Sequence, residues 1–530
     1  MWLALLACTS DDPKRDRPDP TTDADADTDT DTDSDADADA DADADSDSDA
    51  DTDTQTDPPD PCDVDPSQSV IDVTTDQPWH ENELEISFGT TVAATAAVAC
   101  TLATDSTEVH LVEDVAVGTS HTLRIPGLLA DSDYDCVAAA VCPASAAPAT
   151  FSVHTGERNA KMVDVNVDTT PNAGLDYILV NHAECWDQSR NRVEVIDRDG
   201  NNRWWFDTPV GVGVSMEFRY HGGNLFEWGG GWGPNELARP RLVDLFDGEI
   251  YDSAAAMPGL GEYHHDGKML PDGKLLTLER VDVEGDFGTF DGFQVRRIDP
   301  ATDTVDFVYD SQRAVDEGHI ESGFGDAWHP NWTDLVDGTL YVSLCELAKV
   351  VAIDEATGDF LWTFGAGGDF ELFDENGDPL GNSGFTSCQH GLDYTEDDHL
   401  FVYDNGWNRG YTRVSEYVLD PVAFTATRLW TWTEPDWYES TVGDIDPMPS
   451  GKVLIGAGHP DCFGDNPGDH TTLIELDPVT GVKDWELQFD DKDIMAYRAD
   501  YADPCTLFAN ARYCADTATR LAELATVLGN

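Results

Sequence analysis

The chain has 530 residues, 40% of them hydrophobic and 10% aromatic, material for more than one packed core, so two or three domains are expected. Its formal net charge is -77, of which the 24 Asp between Asp11 and Asp65, against Lys14, Arg15 and Arg17, supply -21 and leave -56 on the remainder. So acidic a chain repels nucleic acid, which excludes a nucleic-acid role, and it suits a salty or extracellular setting where screening weakens self-repulsion.

The N-terminus reads Met1-Trp2-Leu3-Ala4-Leu5-Leu6-Ala7-Cys8. Leu5 to Cys8 resembles a bacterial lipobox, in which the cysteine after a small residue is acylated and becomes the mature N-terminus. Residues 1–8 are therefore read as the remnant of a lipoprotein signal, with Cys8 as the lipidation site and a membrane reached through that lipid. The apolar stretch is short for a signal and has no basic residue before it, which implies a start placed too far downstream. No later segment carries the ~20 apolar residues needed to span a bilayer. Setting Cys8 aside leaves ten of the 11 cysteines, an even number that fits an oxidising compartment. The expected location is an outer-membrane or cell-surface lipoprotein on the periplasmic or extracellular face. Cys136 with Cys142 and Cys505 with Cys514 are close enough to close small loops. The partners of Cys62, Cys100, Cys185, Cys345, Cys388 and Cys462 stay open.

Residues 9–69 alternate Asp with Ala, Thr and Ser. Like charge at every second position buries no apolar area, so the segment reads as a disordered acidic tether. A calcium-binding repeat would need glycine-defined turns that are missing. Residues 70–158 change to period-two runs such as Leu84-Glu85-Ile86-Ser87-Phe88 and Thr150-Phe151-Ser152-Val153-His154, the pattern of a small β-sandwich. Leu123 to Leu128, leading to Asp133-Tyr134-Asp135-Cys136-Val137, resembles a fibronectin type III or Ig-like module in which the tyrosine makes a corner contact. Spacing or support is its expected role.

Residues 170–514 repeat a longer unit, the sign of a β-propeller and an all-β fold. Met269-Leu270-Pro271-Asp272-Gly273-Lys274-Leu275 compares with Leu335-Val336-Asp337-Gly338-Thr339-Leu340 and with Pro447-Met448-Pro449-Ser450-Gly451-Lys452-Val453. Arg297-Ile298-Asp299-Pro300-Ala301-Thr302 compares with Ala352-Ile353-Asp354-Glu355-Ala356-Thr357 and Glu475-Leu476-Asp477-Pro478-Val479-Thr480. Six blades are expected, starting near Asp176, Ser215, Tyr263, Trp328, Gln389 and Ser440. Residues 515–530 form the tail, and within it only Ala515 to Leu528 reads as helix.

Histidines open three consecutive repeats: His264 and His265, then His329, then His390. Entry strands of a propeller line its central channel, so side chains at their starts converge on one mouth. Here the sequence resembles the bacterial arylsulfate sulfotransferases, in Tyr263-His264-His265-Asp266, Trp328-His329-Pro330-Asn331, Gln389-His390-Gly391, Tyr403-Asp404-Asn405-Gly406, Arg413-Val414-Ser415-Glu416-Tyr417 and Tyr497-Arg498-Ala499. The resemblance spans roughly residues 176–508. It implies an enzyme that takes a sulfuryl group from a phenolic sulfate donor onto His390 and passes it to a phenolic acceptor, with no redox or nucleotide cofactor and no metal. His329 and His265 (or its neighbour His264) would bind the sulfuryl oxygens or protonate the leaving phenolate, with Asn331 assisting in binding. A neutral imidazole is a suitable nucleophile at neutral pH, and a charge-spreading sulfuryl group calls for fixed donors around it.

One departure stands out. Where the family carries a sulfate-holding arginine, in Tyr341-Val342-Ser343-Leu344-Cys345, this chain has Cys345. Either Arg409 replaces that cation from the next repeat, or Cys345 pairs with Cys388 and rigidifies a site of altered chemistry. The rival readings are a non-catalytic surface propeller that binds a ligand or partner at the same mouth, and a quinoprotein-type dehydrogenase, for which no tryptophan docking repeat is present. Lesser signals are the sequon Asn331-Trp332-Thr333, the run Gly229-Gly230-Gly231-Trp232-Gly233, the pair His459 and His470 flanking Cys462 as metal donors, and Trp328, Trp407 and Trp437 as stacking surfaces.

Overall fold

A computed structural model describes residues 62, 64–77, 80–184, 191–207, 214–221, 224–230, 240–246, 248–252, 262–323, 325–458 and 470–529; side chains at 184, 214–230, 240, 248–252 and 262–264 are outside the description. The lipobox with Cys8, most of the acidic tether, Cys185, His459 and Cys462 lie outside the described residues, as does the side chain of His264. Among the described residues no helix is long and apolar enough to cross a membrane.

The period-two runs become long strands. Leu84–Leu102 pairs with Asp105–Ile125 and with Asp133–Cys142 in a seven-stranded sheet. Alternation turns Leu84, Ile86, Phe88, Val98 and Tyr134 onto one core. The Tyr134 hydroxyl accepts from the Leu129 N–H at 2.9 Å and donates to the Glu108 carboxylate at 3.0 Å. The proposed Cys136–Cys142 loop does not form. Cys136 sits directly across from Cys100 in the strand register and bonds to it, while Cys142 bonds Cys62. Cys505 and Cys514 pair as expected.

The remaining strands form a propeller-like ring of small, mainly antiparallel sheets. Turn chemistry closes the hairpin at Asp337-Gly338, where both residues adopt positive φ (47° and 76°), the backbone of a tight turn matched to strand twist. The strands Tyr177–Glu184, Val214–His221, Glu262–Met269, Pro330–Val336, Gln389–Tyr394 and Asp444–Pro447 succeed one another around the ring. Two end segments close it. Val165–Thr169 adds to Val482–Phe489 at one edge, and Ala499–Ala502 adds to Tyr177–Glu184 at the other.

Among the described residues helix is confined to short pieces. Besides Ala515–Glu523 and Ala525–Leu528 in the expected tail there are Gln312–Asp316 and Pro504–Leu507, too short for a periodicity to reveal. The tail folds back on the N-terminal sheet, packing Leu524 and Leu528 against Ala97, Ala99 and Leu111, with Arg520 forked onto Glu113 at 2.8 Å.

Sheet and ring are joined by a buried ion cluster. Arg203, in Asn202–Asp207, donates two bonds to Glu108 (2.6 and 3.1 Å), one to Asp197 (2.7 Å) and one to the Gly127 carbonyl (3.1 Å), and all three ionised side chains are fully buried. Removing one member of such a cluster strands the others without solvent. Arg203→Met is expected to lower stability by about 3–5 kcal/mol in urea unfolding, and a loss under ~1 kcal/mol would show that the cluster does not hold the two parts together.

Candidate active site

The site forms where the inner strands begin. In four of these strands the backbone takes a positive φ at a non-glycine residue in the first half of the strand or just before it: His265 (52°), His329 (44°), Cys388 (51°) and Val442 (56°). The register slips just beyond the start in three of these strands, between Tyr263 and Gly267, Pro330 and Trp332, and Gln389 and Leu392. Such bulges re-aim side chains, and strained backbone is held where surrounding structure over-determines it. The ladders also correct the equivalence expected of the histidines. Pro330 pairs with Leu344 as Gln389 pairs with Asp404, so the counterpart of His329 is Cys388, and His390 occupies the place of Asn331.

That offset still brings the three rings together. The His265 and His329 ring centres are 4.6 Å apart, and His329 and His390 are 6.4 Å apart. Tyr497 stands beside both ends of the row, 6.2 Å from His265 and 6.4 Å from His390. His390 is only 3% exposed.

The tautomer of His390 follows from its neighbour. Asn405 uses its amide NH2 to donate to the carbonyls of Glu439 (3.0 Å) and Val442 (2.9 Å), which leaves its Oδ1 facing His390 Nδ1 at 2.7 Å. Nδ1 must therefore carry the proton, and the lone pair lies on Nε2. Burial, first, and then the charges of His329 and Arg498, hold the ring's pKa down to about 3 against the opposing Asn405 hydrogen bond. His329 differs: its Nδ1 meets the Asp326 carboxylate at 2.7 Å.

Arg498 underlies the row. Its guanidinium reaches Asp444 at 3.2 Å, the Asn331 carbonyl at 3.1 Å and Asp266 at 3.8 Å, and stacks on Tyr497 at 5.1 Å. Asn331 is fully buried and donates to the Gln389 carbonyl at 2.6 Å, so it fixes the backbone that carries His390 and is closed to glycosylation. Arg409 contacts Asp404 at 2.8 Å and lies over the Tyr411 ring. Cys345 and Cys388 form a disulfide, the second of the two alternatives drawn from the sequence.

The lesser signals resolve differently. Trp328 is core, packed on Phe290 and Phe293. Trp437 packs on Tyr403 and Trp432, while Trp407 is half exposed and bonds the Ser440 carbonyl. His470 bonds the Phe489 carbonyl at 2.8 Å. Asn405, Arg498, Tyr497 and Asp326 received no role from sequence. The first three stand inside motifs quoted above, and that proximity was the available signal.

The family model for arylsulfotransferases (ASST) matches residues 163–498. No curated protein matches. Among solved structures, AztD from Citrobacter koseri is 10% identical over 77% of this chain and 98% of its own, at a TM-score of 0.26. A luciferin-regenerating enzyme is 12% identical over 63% and 97%, at 0.33. Hsv2p from Kluyveromyces lactis is 8% identical over 74% and 97%, at 0.28. At these scores none of the three bears on what the chain does.

The state of His390 has a consequence for acid stability. The folded chain keeps the ring neutral down to about pH 3, whereas the unfolded chain protonates it near its ordinary value, so between these pH values the unfolded state binds more protons. Stability therefore falls as pH drops through that window. His390→Gln should remove on the order of 3 kcal/mol of the loss between ~pH 6.5 and ~pH 4. Parallel acid-unfolding curves of variant and wild type would disprove the assignment.

Proposed function

The chain belongs to the arylsulfotransferase family, and on that premise we propose that it moves a sulfuryl group from a phenolic sulfate ester to a phenolic acceptor through a sulfohistidine on His390. The observation that carries this reading is the Asn405 lock, which gives a neutral imidazole with its lone pair on Nε2 beside two further histidines.

In the first half-reaction Nε2 attacks sulfur, the S–O bond to the aryl group breaks, and the phenolate leaves. A phenol has a pKa near ~10, so a proton from His329, held by Asp326, assists a basic leaving group. His265, 4.6 Å from His329, offers a further donor to the sulfuryl oxygens. In the second half the acceptor phenol gives its proton to His329 and attacks the sulfur, the S–Nε2 bond breaks as the new S–O bond forms, and His390 returns to its neutral form. The donor brings its own activated sulfuryl group, so no nucleotide or redox cofactor enters. His264, Asn331 and Arg409 complete the proposed substrate-binding set.

A second reading has one specific observation behind it. A disulfide occupies the place of the family's arginine, so the mouth lacks that cation, and a surface propeller binding a ligand or partner without chemistry would tolerate this. We further read the frame as a six-bladed propeller over residues 170–514, preceded by a fibronectin type III-like spacer over 70–158 and tethered through residues 9–69 to a lipid on Cys8. The four disulfides among the described residues suit such an exported location.

Phenol release from an aryl sulfate, measured with and without a phenolic acceptor, tests the reading. His390→Ala should lower acceptor-dependent turnover by at least ~10³-fold, since the nucleophile is lost. His329→Ala should cost about 10²-fold with basic phenols as leaving groups and far less with an acidic nitrophenol. Undiminished turnover in His390→Ala would end the sulfohistidine proposal, and folded wild type inert to a range of donors would favour the binding propeller.

A further inference from the structure

Among the described residues one group of metal-ligating side chains converges: the sulfurs of Cys345 and Cys388 and a ring nitrogen of His390 lie within 4.8 Å of one another, all buried. The two cysteines come from different sheets, Cys345 just after Thr339–Leu344 and Cys388 just before Gln389–Tyr394. We propose that, when the Cys345–Cys388 disulfide is reduced, these two thiolates and His390 bind a soft divalent cation such as zinc, and that the bound ion takes the histidine out of action.

The redox step balances with an external dithiol. Its two thiol hydrogens end on Cys345 and Cys388 as the S–S bond breaks, and it leaves as its own disulfide. Binding of the ion then releases both thiol protons and engages the Nε2 lone pair. The ring is already set for this. Asn405 holds Nδ1–H, and a ligating histidine whose other nitrogen donates to a fixed oxygen is the usual arrangement at zinc.

The backbone around both cysteines is pinned independently of the S–S bond. The Cys345 N–H donates to the His329 carbonyl at 3.1 Å, and the Cys388 carbonyl accepts from the Asn405 N–H at 3.2 Å. The sulfurs therefore stay near His390 after reduction. Zinc bonds of about 2.3 Å to sulfur and 2.0–2.1 Å to nitrogen put tetrahedral donors roughly 3.5–3.8 Å apart, within small movements of the observed group. Two thiolates and one imidazole also favour zinc or its softer neighbours over magnesium or calcium. With three protein ligands, a fourth position is left to water or an anion.

The metal site stands on this geometry alone, while its inhibitory effect rests on the sulfohistidine reading. The test uses the full chain, reduced by a dithiol and freed of it under anaerobic conditions, and titrated with cobalt(II). Thiolate-to-cobalt charge-transfer absorption reports sulfur ligation, to which ions on the acidic residues contribute nothing. The expected result is a saturable band in reduced wild type that is absent from the oxidised protein and from Cys345→Ser/Cys388→Ser. In His390→Gln, which keeps both cysteines, affinity should fall at least about 10-fold. A band that persists undiminished in the double variant, or no band in folded reduced protein, overturns the site. Zinc should abolish aryl sulfate turnover of the reduced enzyme, reversibly with a chelator, and leave the oxidised enzyme unaffected. Turnover by the zinc-loaded reduced enzyme would overturn the inhibition. If the oxidised enzyme has no activity while the band behaves as expected, the metal site stands and the transferase reading falls.

Discussion

One buried guanidinium holds both the ring and its mouth. Arg498 directly precedes Ala499–Ala502, the segment that adds to Tyr177–Glu184 and closes the circle. From there it reaches Asp444, the Asn331 carbonyl and Asp266, groups on three different sheets. A buried cation is tolerable only with such partners, because its desolvation is otherwise far costlier than any single bond returns. The same charge lies close enough to His390 to disfavour a second proton on that ring. Closure of the fold and the neutral state of His390 thus share one residue.

The mouth is shaped by departures from the regular strand. A straight strand would alternate its side chains between the two faces, but the slipped register and positive φ at the strand starts turn successive residues inward. This lets residues two apart in register, His329 and His390, come to one row. It also brings Cys388, the counterpart of His329, to Cys345, itself the counterpart of Asn405 in donating its N–H to the carbonyl of the positive-φ residue. Where one repeat has a histidine and a cysteine, the next has a cysteine and an asparagine, and the disulfide is the product of that exchange.

Sequence carried the frame of this arrangement further than its detail. Asp337-Gly338 and its counterparts announce hairpins because only a few residues accept positive φ cheaply, and the turns fall where expected. His265, His329 and His390 do come to one row, though His390 reaches it by an offset from the repeat, and the Cys345–Cys388 bond was one of two alternatives drawn from the departure at Cys345. The offset between His329 and His390 was hidden, since a bulge adds a residue without changing composition. Cys136 chose Cys100 over the nearer Cys142 because a cross-strand neighbour outranks a sequence neighbour, and register is a tertiary quantity. Arg498 and Asn405 are single polar residues whose partners lie far along the chain. Nothing local marks them as buried.

Electrostatics set the remaining constraint. The proposed donor, a phenolic sulfate, is an anion, and the chain carries a formal charge of -77. At distances beyond about 8–10 Å that repulsion is screened in physiological or saltier media, so the long-range field is weak there. At the mouth, the balance is decided by groups within a few ångströms. There Arg498 is largely spent on Asp266 and Asp444, and the cation expected at Cys345 is missing. What remains is His329, whose Nδ1 lies 2.7 Å from the Asp326 carboxylate, and His265 beside it. A fixed arginine would bind the anion at any pH. On the proposed transfer the histidine pair would instead join recognition of the donor to the chemistry that consumes it.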